Sequence, residues 1–304
     1  SGPAGGIAVT LTPRNAACVS APAATISAGQ VNTTANITYG GSATLPCATY
    51  VVASGPAGFV VDSVSVNMQV QPVLSVANAV LGSGLQRAFG GSLGASNHGG
   101  TTVRVTSTNP SLFLVAQNDS TPGAAFADIP VIVGGTNFTY YVQVLEGFTN
   151  DSANVRATAP GFVTDSAKVN VYQAVFDIIF LNASGNTRTA NDPFQVRTGS
   201  ATSPTGGISV EDEIRAGGVT TTFSVVNDSA AVGDLVTQAL TADSVTVQIG
   251  PRLARSPTTV ATGGVEFDYT AAGVASVRAH GAGYRAVGTA LAQSIPVTAP
   301  TVTV

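Results

Sequence analysis

Asn154–Val171 reads NVRATAPGFVTDSAKVNV, and a close relative of this stretch occurs twice more in the chain. Val51–Met68 reads VVASGPAGFVVDSVSVNM, and Val274–Leu291 reads VASVRAHGAGYRAVGTAL. Gly58-Phe59-Val60, Asp62-Ser63 and Val66-Asn67 match Gly161-Phe162-Val163, Asp165-Ser166 and Val169-Asn170 at a constant offset of 103 residues. The third copy keeps Val277-Arg278-Ala279 and Gly283-Tyr284 at an offset of 122. A period near one hundred residues is the length of a domain, so the chain reads as a tandem array and not as a solenoid. Within each copy residues alternate, as in Val64, Val66 and Met68 against Ser63, Ser65 and Asn67. Strand side chains point to opposite faces with period two, which makes one face core and the other wet. Between the strands stands Gly-aromatic, where glycine supplies a positive φ and the ring folds back over the edge of the core.

Working outward, a second phrase precedes each hairpin. Gly5-Gly6-Ile7-Ala8-Val9-Thr10-Leu11-Thr12 returns as Gly99-Gly100-Thr101-Thr102-Val103-Arg104-Val105-Thr106 and as Gly217-Gly218-Val219-Thr220-Thr221-Thr222-Phe223-Ser224. Each is a glycine turn, an alternating strand and then an Asn-centred turn. A third phrase, a short strand ending in a glycine turn, recurs at Ala24–Gly29, Ile129–Gly134 and Val245–Gly250. Gly5–Gln30, GGIAVTLTPRNAACVSAPAATISAGQ, resembles the strand phrase of bacterial immunoglobulin-like (Big, fibronectin-III-like) repeats. That resemblance extends over almost the whole chain. It implies β-sandwiches of the kind strung along secreted or surface proteins.

The expected fold is therefore all-β, with three tandem immunoglobulin-like β-sandwiches over residues 1–72, 73–173 and 174–300. The third is the most diverged, and 301–304 begin a further strand. Units two and three have room for opening strands at Val73–Val80 and Leu85–Leu93, and at Val175–Leu181, Phe194–Thr198 and Ile208–Ile214. The first unit has four residues before Gly5 and is expected to lack those strands. Thr301, Val302, Thr303 and Val304 are then the candidate donor strand, seated on the first unit of another copy by strand addition.

Composition narrows the role. The 304 residues are 44% hydrophobic, enough for real cores, yet only 9% are charged, against about 25% in ordinary soluble domains. A formal net charge of -4 with scattered arginines and a single lysine, Lys168, offers no basic patch for nucleic acid or for an anionic membrane. No run of about twenty apolar residues is present to insert in a bilayer. Cys18 and Cys47, the only cysteines, lie 28 intervening residues apart in the first unit. Two cysteines cannot supply four zinc ligands, and a disulfide is favoured over two free thiols, placing the chain in an oxidising compartment.

Chemistry is sparse. His98 and His280 are the only histidines, each beside a glycine turn, and no nucleophile elbow or metalloprotease motif occurs. The chain is expected not to be an enzyme and to need no cofactor. Calcium is the one metal considered, at Asn118-Asp119, Asn150-Asp151-Ser152 or Glu211-Asp212-Glu213, none of which has EF-hand spacing. Seven N-x-[ST] triplets, at Asn32, Asn36, Asn118, Asn137, Asn150, Asn182 and Asn227, are potential glycosylation sites. Only Phe138, Tyr140 and Tyr141 approach an aromatic stripe for a glycan, and in a strand adjacent Tyr140 and Tyr141 face opposite sides. The first functional expectation is an extracellular or cell-surface structural protein, a filament subunit, stalk or spacer, whose partners are copies of itself or neighbouring immunoglobulin-like domains. The alternative is an adhesin or carbohydrate-binding segment with Tyr140 or Tyr141 on its ligand face.

Overall fold

A computed structural model of the chain describes residues 3–300, and they form strands, turns and two short 3-10 segments. They divide at Gln71–Pro72 into two compact units. The second unit holds both of the stretches expected as separate sandwiches, 73–173 and 174–300. The expected tail strand, Thr301–Val304, lies outside the described residues.

Unit 1 contains β1 (Ile7–Pro13), β2 (Val19–Ser20), β3 (Ala24–Ile26), β4 (Thr38–Tyr39), β5 (Cys47–Ser54) and β6 (Asp62–Met68). A four-stranded sheet runs in the order β3-β1-β5-β6, and β2 pairs with β4 in a second, two-stranded sheet. Val51 pairs with Val64 across β5 and β6, the alternation read from the sequence. The buried core is small: Cys18, Val19 and Val51, with Leu11, Ile37, Val66 and Met68 packed partly against it. Cys18 and Cys47 are bridged, tying the start of β5 to the residue before β2 and so joining the two sheets.

Unit 2 continues with β7 (Ser75–Val76), β8 (Ala79–Gly82), β9 (Leu85–Ser92), β10 (Thr101–Ser107), β11 (Phe113–Ala116), β12 (Phe126–Val131), β13 (Asn137–Val144), β14 (Asn150–Thr158) and β15 (Asp165–Tyr172). Then follow β16 (Val175–Ile179), β17 (Gly185–Asn186), β18 (Asp192–Ser200), β19 (Val210–Glu211), β20 (Glu213–Ile214), β21 (Thr221–Asn227), β22 (Gly233–Val236), β23 (Thr241–Ala242), β24 (Ser244–Ile249), β25 (Val265–Tyr269), β26 (Gly273–Gly281), β27 (Arg285–Ala286) and β28 (Gln293–Thr298). The order β3-β1-β5-β6 of unit 1 recurs as β12-β10-β14-β15 and as β24-β21-β26-β28. Each recurrence carries one more strand, parallel to the last: β8 beside β15, and β17 beside β28. The facing sheets follow the same rule, with β11-β13-β9 and β22-β25-β18 extending the β2-β4 pattern by a strand.

The three Gly-aromatic turns all use the left-handed region, at φ +98° for Gly58, +81° for Gly161 and +80° for Gly283. The third departs from a simple hairpin. Arg285-Ala286 leaves to pair with β16, and the return strand begins only at Gln293, after the 3-10 turn Gly288–Ala290. Packing dictates another glycine: the ring of Phe138 lies across Gly91 of the neighbouring strand, where a Cβ would stand 2.2 Å from Cζ.

A large buried cluster runs through unit 2, from Leu74 to Val297, beside a small one of Val175, Ala201 and Val287. Unit 1 has no such reserve, so its bridge carries a larger share of its stability. Closing a loop of this length contributes about 3 kcal/mol in the chain-entropy description. Reduction of Cys18–Cys47 is expected to lower the unfolding free energy of unit 1 by that amount and to leave unit 2 unchanged. Calorimetry of oxidised and reduced protein, with two transitions resolved, checks it.

Candidate functional site at the open edge of unit 1

The hairpin β5-β6 repeats β14-β15 in sequence, but its surroundings differ. In unit 2, Pro72–Val76 enters along the start of β15. Val163 N donates to Pro72 O at 2.9 Å, Leu74 N donates to Val163 O at 3.0 Å, and Val76 N donates to Asp165 Oδ2 at 2.9 Å. Leu74 is fully buried and Val76 nearly so. Strand β8 then pairs in parallel with β15, Val169 opposite Ala79 and Val171 opposite Leu81. The second half of the unit repeats this entry: Arg285 N donates to Ala174 O at 2.9 Å and Val287 N to Phe176 O at 3.0 Å, burying Phe176 and Ile178.

The corresponding place on unit 1 is open. Val60, the counterpart of Val163, is 93% exposed and has no backbone hydrogen bond among the described residues. Phe59 and Val61 beside it are exposed as well. Asp62, the counterpart of Asp165, accepts among the described residues only from the adjacent Ser63 N, at 2.7 Å. Val64 is 55% exposed, while Ala167 at the same register is buried. Among the described residues strand β6 pairs with β5 alone, so its outer edge presents donors and acceptors that no described strand meets. Next to Asp62 an apolar groove of about 150 Å³ is lined by Leu11, Ile37, Val51, Ala53 and Val64. An unpaired strand edge beside an apolar groove is what strand addition uses: main-chain hydrogen bonds supply affinity, and pockets for alternate side chains supply specificity.

Other residues singled out in the sequence fall elsewhere. Tyr140 is fully buried between Phe89 and Phe138, so its ring is not offered to a glycan, which corrects its place on a ligand face. Burial, with the charge of Asp165 second, pushes its phenol up to about 12. Tyr141, on the opposite side of the strand, is half-buried and lines a groove with Arg87 and Glu211–Glu213.

The acids considered for calcium have protein partners. Asn118 Oδ1 caps its own turn by accepting from Ser120 N and Thr121 N, Asp119 pairs with Arg252 at 3.7 Å, and Asp151 accepts from Ser152 N. Among the described residues no group of three or more His, Cys, Asp or Glu could hold a metal ion. His98 Nε2 is hydrogen-bonded to Gly135 O at 2.7 Å, and His280 sits against Arg278. Of the glycosylation triplets, Asn227 is buried with its Nδ2 on Gly233 O, and Asn182 Nδ2 donates to Asp192. Those two amides are engaged within the protein.

Glu211-Asp212-Glu213 forms a junction inside unit 2. Asp212 is buried and accepts from Arg87 Nε at 2.6 Å, while Ser200 Oγ donates to Asp212 and accepts from Gly82 N at 2.7 Å. Glu211 holds Arg255 at 2.6 Å, and Glu213 accepts from Gln86 Nε2 at 3.1 Å. The flanking backbone, as β20, adds an edge strand to β9, with Ile214 opposite Leu85. Sequence reading missed this. The arginine partner lies 125 residues away, and the sequence marked Glu211-Asp212-Glu213 only as a calcium candidate.

No family model and no curated protein matches the chain. Among solved structures it is similar to domains 4–9 of the surface layer protein SbsC, at 18% identity over 99% of this chain and 40% of that one, with a TM-score of 0.27. It is also similar to domains 5–6 of that S-layer protein, at 16% identity over 76% and 97% of the two chains and a TM-score of 0.25. A third is the teleost fish polymeric Ig receptor ectodomain, at 10% identity over 75% and 100% and a TM-score of 0.29. The chain thus spans under half the length of the first. At these scores no role is carried over, and the architecture rests on the strand pairing itself.

Two substitutions test the side-chain assignments. Tyr140 Oη is buried without a hydrogen-bond partner among the described residues. Tyr140→Phe removes that orphan and is expected to leave stability unchanged or raise it by about 1 kcal/mol in a denaturant titration. Asp212→Ala strands Arg87 beside a buried junction and is expected to cost unit 2 about 3 kcal/mol in the same measurement.

Proposed function

We propose that this chain is a structural component of an extracellular or cell-surface assembly, a filament subunit, stalk or spacer, in which unit 1 is completed by a strand supplied from outside residues 1–71. The observation that carries the reading is the open edge Phe59–Val64, set against two closed edges of the same strand order in unit 2. The Cys18–Cys47 bridge supports an oxidising compartment. Low charge and a surface of hydroxyls and amides fit packing against other copies, since few charges must be desolvated or matched. The glycan-binding alternative is weakened by the burial of Tyr140.

The test is completion in cis. Gln71–Leu93, the segment that closes the equivalent edge in unit 2, is fused through a flexible linker ahead of residue 1 of the full chain. Burying two or more apolar side chains in the groove is expected to stabilise unit 1 by about 3 kcal/mol. Amide exchange at Val60 and along β6 should slow in parallel. An unchanged unit 1 transition and unchanged exchange would rule out the acceptor role.

A further inference from the structure

The two longest edge strands of unit 2 are β12 and β24, each of six residues, and they hold the same place in their sheets, beside β10 and β21. Which residues face outward follows from one bond in each ladder. Ser107 N donates to Ala125 O at 2.9 Å and Asn227 N to Asp243 O at 2.7 Å, and in an antiparallel pair the inward bonds recur at every second residue. Phe126, Asp128 and Pro130 of β12, and Ser244, Thr246 and Gln248 of β24, therefore turn their backbone groups away from the sheet. On β12 that edge is blocked. Pro130 has no N–H to offer, Gln117 Nε2 donates to Asp128 O at 2.7 Å, and the Asp128 carboxylate pairs with Arg104, whose guanidinium lies 4.3 Å from the Phe126 ring centre. On β24 these devices are missing. When Val245–Gly250 is aligned with Ile129–Gly134, Thr246 stands in place of Pro130 and Ser244 in place of Asp128. Among the described residues β24 pairs with β21 alone, and the side-chain contacts of Ser244 and Gln248 run back to Ser224 and Thr222 of that strand.

We infer that the outer edge of β24 is a contact surface for a second copy of this chain, whose own β24 pairs with it antiparallel about a two-fold axis at Thr246. The inference stands on unit 2 and does not depend on the unit 1 edge. The sequence of the strand selects this occupant. Ser244-Val245-Thr246-Val247-Gln248 reads polar, valine, threonine, valine, polar from either end, so an antiparallel copy meets it in register. Thr246 then lies opposite Thr246 of the second copy, each N–H donating to the other's carbonyl. Ser244 and Gln248 exchange the same pair of bonds with each other across the axis. The side chains of Ser244, Thr246 and Gln248 are exposed and uncharged, so no like charges are set opposite one another. Val245 and Val247 stay buried under their own sheet. The contact uses one patch on both copies, closes at a dimer, and joins two five-stranded sheets into one.

The test uses the full chain. Sedimentation is expected to show a monomer–dimer equilibrium by about 100 µM, the range of a weak contact. Thr246→Lys sets two like charges opposite each other, and Thr246→Pro removes the central donor as Pro130 does on β12; each is expected to weaken the dimer about tenfold or more. The Thr246 side chain is exposed, so the unfolding transition of the lysine variant should match that of the native chain. Cysteines fix the register. Mixed Ser244→Cys and Gln248→Cys chains should oxidise to a disulfide-linked dimer in about tenfold excess over mixed Ser244→Cys and Thr222→Cys chains, in which the second cysteine lies one strand in from the edge. A native chain that stays monomeric at that concentration, a dimer indifferent to both Thr246 changes, or equal cross-linking in the two mixtures would each overturn the assignment. The Gln71–Leu93 fusion reads the unit 1 transition alone, so the two proposals fail separately.

Discussion

Edge closure is the constraint on which the structure depends. A β-sheet satisfies its backbone polar groups strand by strand, and the last strand leaves a row of donors and acceptors with no partner. In unit 2 that row is closed twice by the same device, a parallel strand laid beside the return strand of the Gly-aromatic hairpin. Parallel pairing requires a long crossover connection, and here each closing strand lies far ahead of the return strand that it joins. The hairpin itself is local and needs nothing but its own turn. Hairpin and closing strand are thus separable, and unit 1 has one without the other.

The core follows from the closure. Where a strand such as β8 or β9 is present, the alternating apolar residues of the hairpin are covered, as at Val169 and Val171. Where none is present, equivalent residues stand in solvent, as at Val64. Exposed apolar area of this kind is unfavourable by roughly 25 cal/mol per Å². The disulfide offsets part of that in unit 1 by limiting the unfolded chain, which is how small cores are commonly sustained. Unit 2 has no bridge and has the larger continuous core instead.

The junction at Glu211–Arg215 shows the same economy of backbone. Glu213 and Ile214 form an edge strand on β9, while the side chains of Glu211, Asp212 and Glu213 meet Arg255, Arg87 and Gln86 respectively. A buried carboxylate would be costly alone. Here Arg87 and Ser200 both reach Asp212, and Ser200 in turn accepts from Gly82. The two sandwich-like halves of unit 2 therefore share both a sheet edge and a polar network, and they stand as one compact unit.

The strand phrases, their order and the glycine turns were legible in the sequence because they depend on neighbours within about ten residues. Alternation at Val64, Val66 and Met68 names a strand whatever lies beside it, and Gly58, Gly161 and Gly283 turn because only glycine takes those angles without strain. Composition likewise carried the cysteine pairing, since two cysteines in one small unit have few other uses. What the sequence could not decide is which face meets another element. Tyr140 and Tyr141 are chemically alike, and register against β9 alone sends one into the core and leaves the other half-exposed. Asp62 and Asp165 occupy matching phrases, yet only Asp165 receives a strand, because whether a closing segment arrives is a property of distant chain. The contact between the two later repeats was hidden for the same reason: Asp212 and Arg87 are bound by a charge interaction across 125 residues, and no local pattern encodes it.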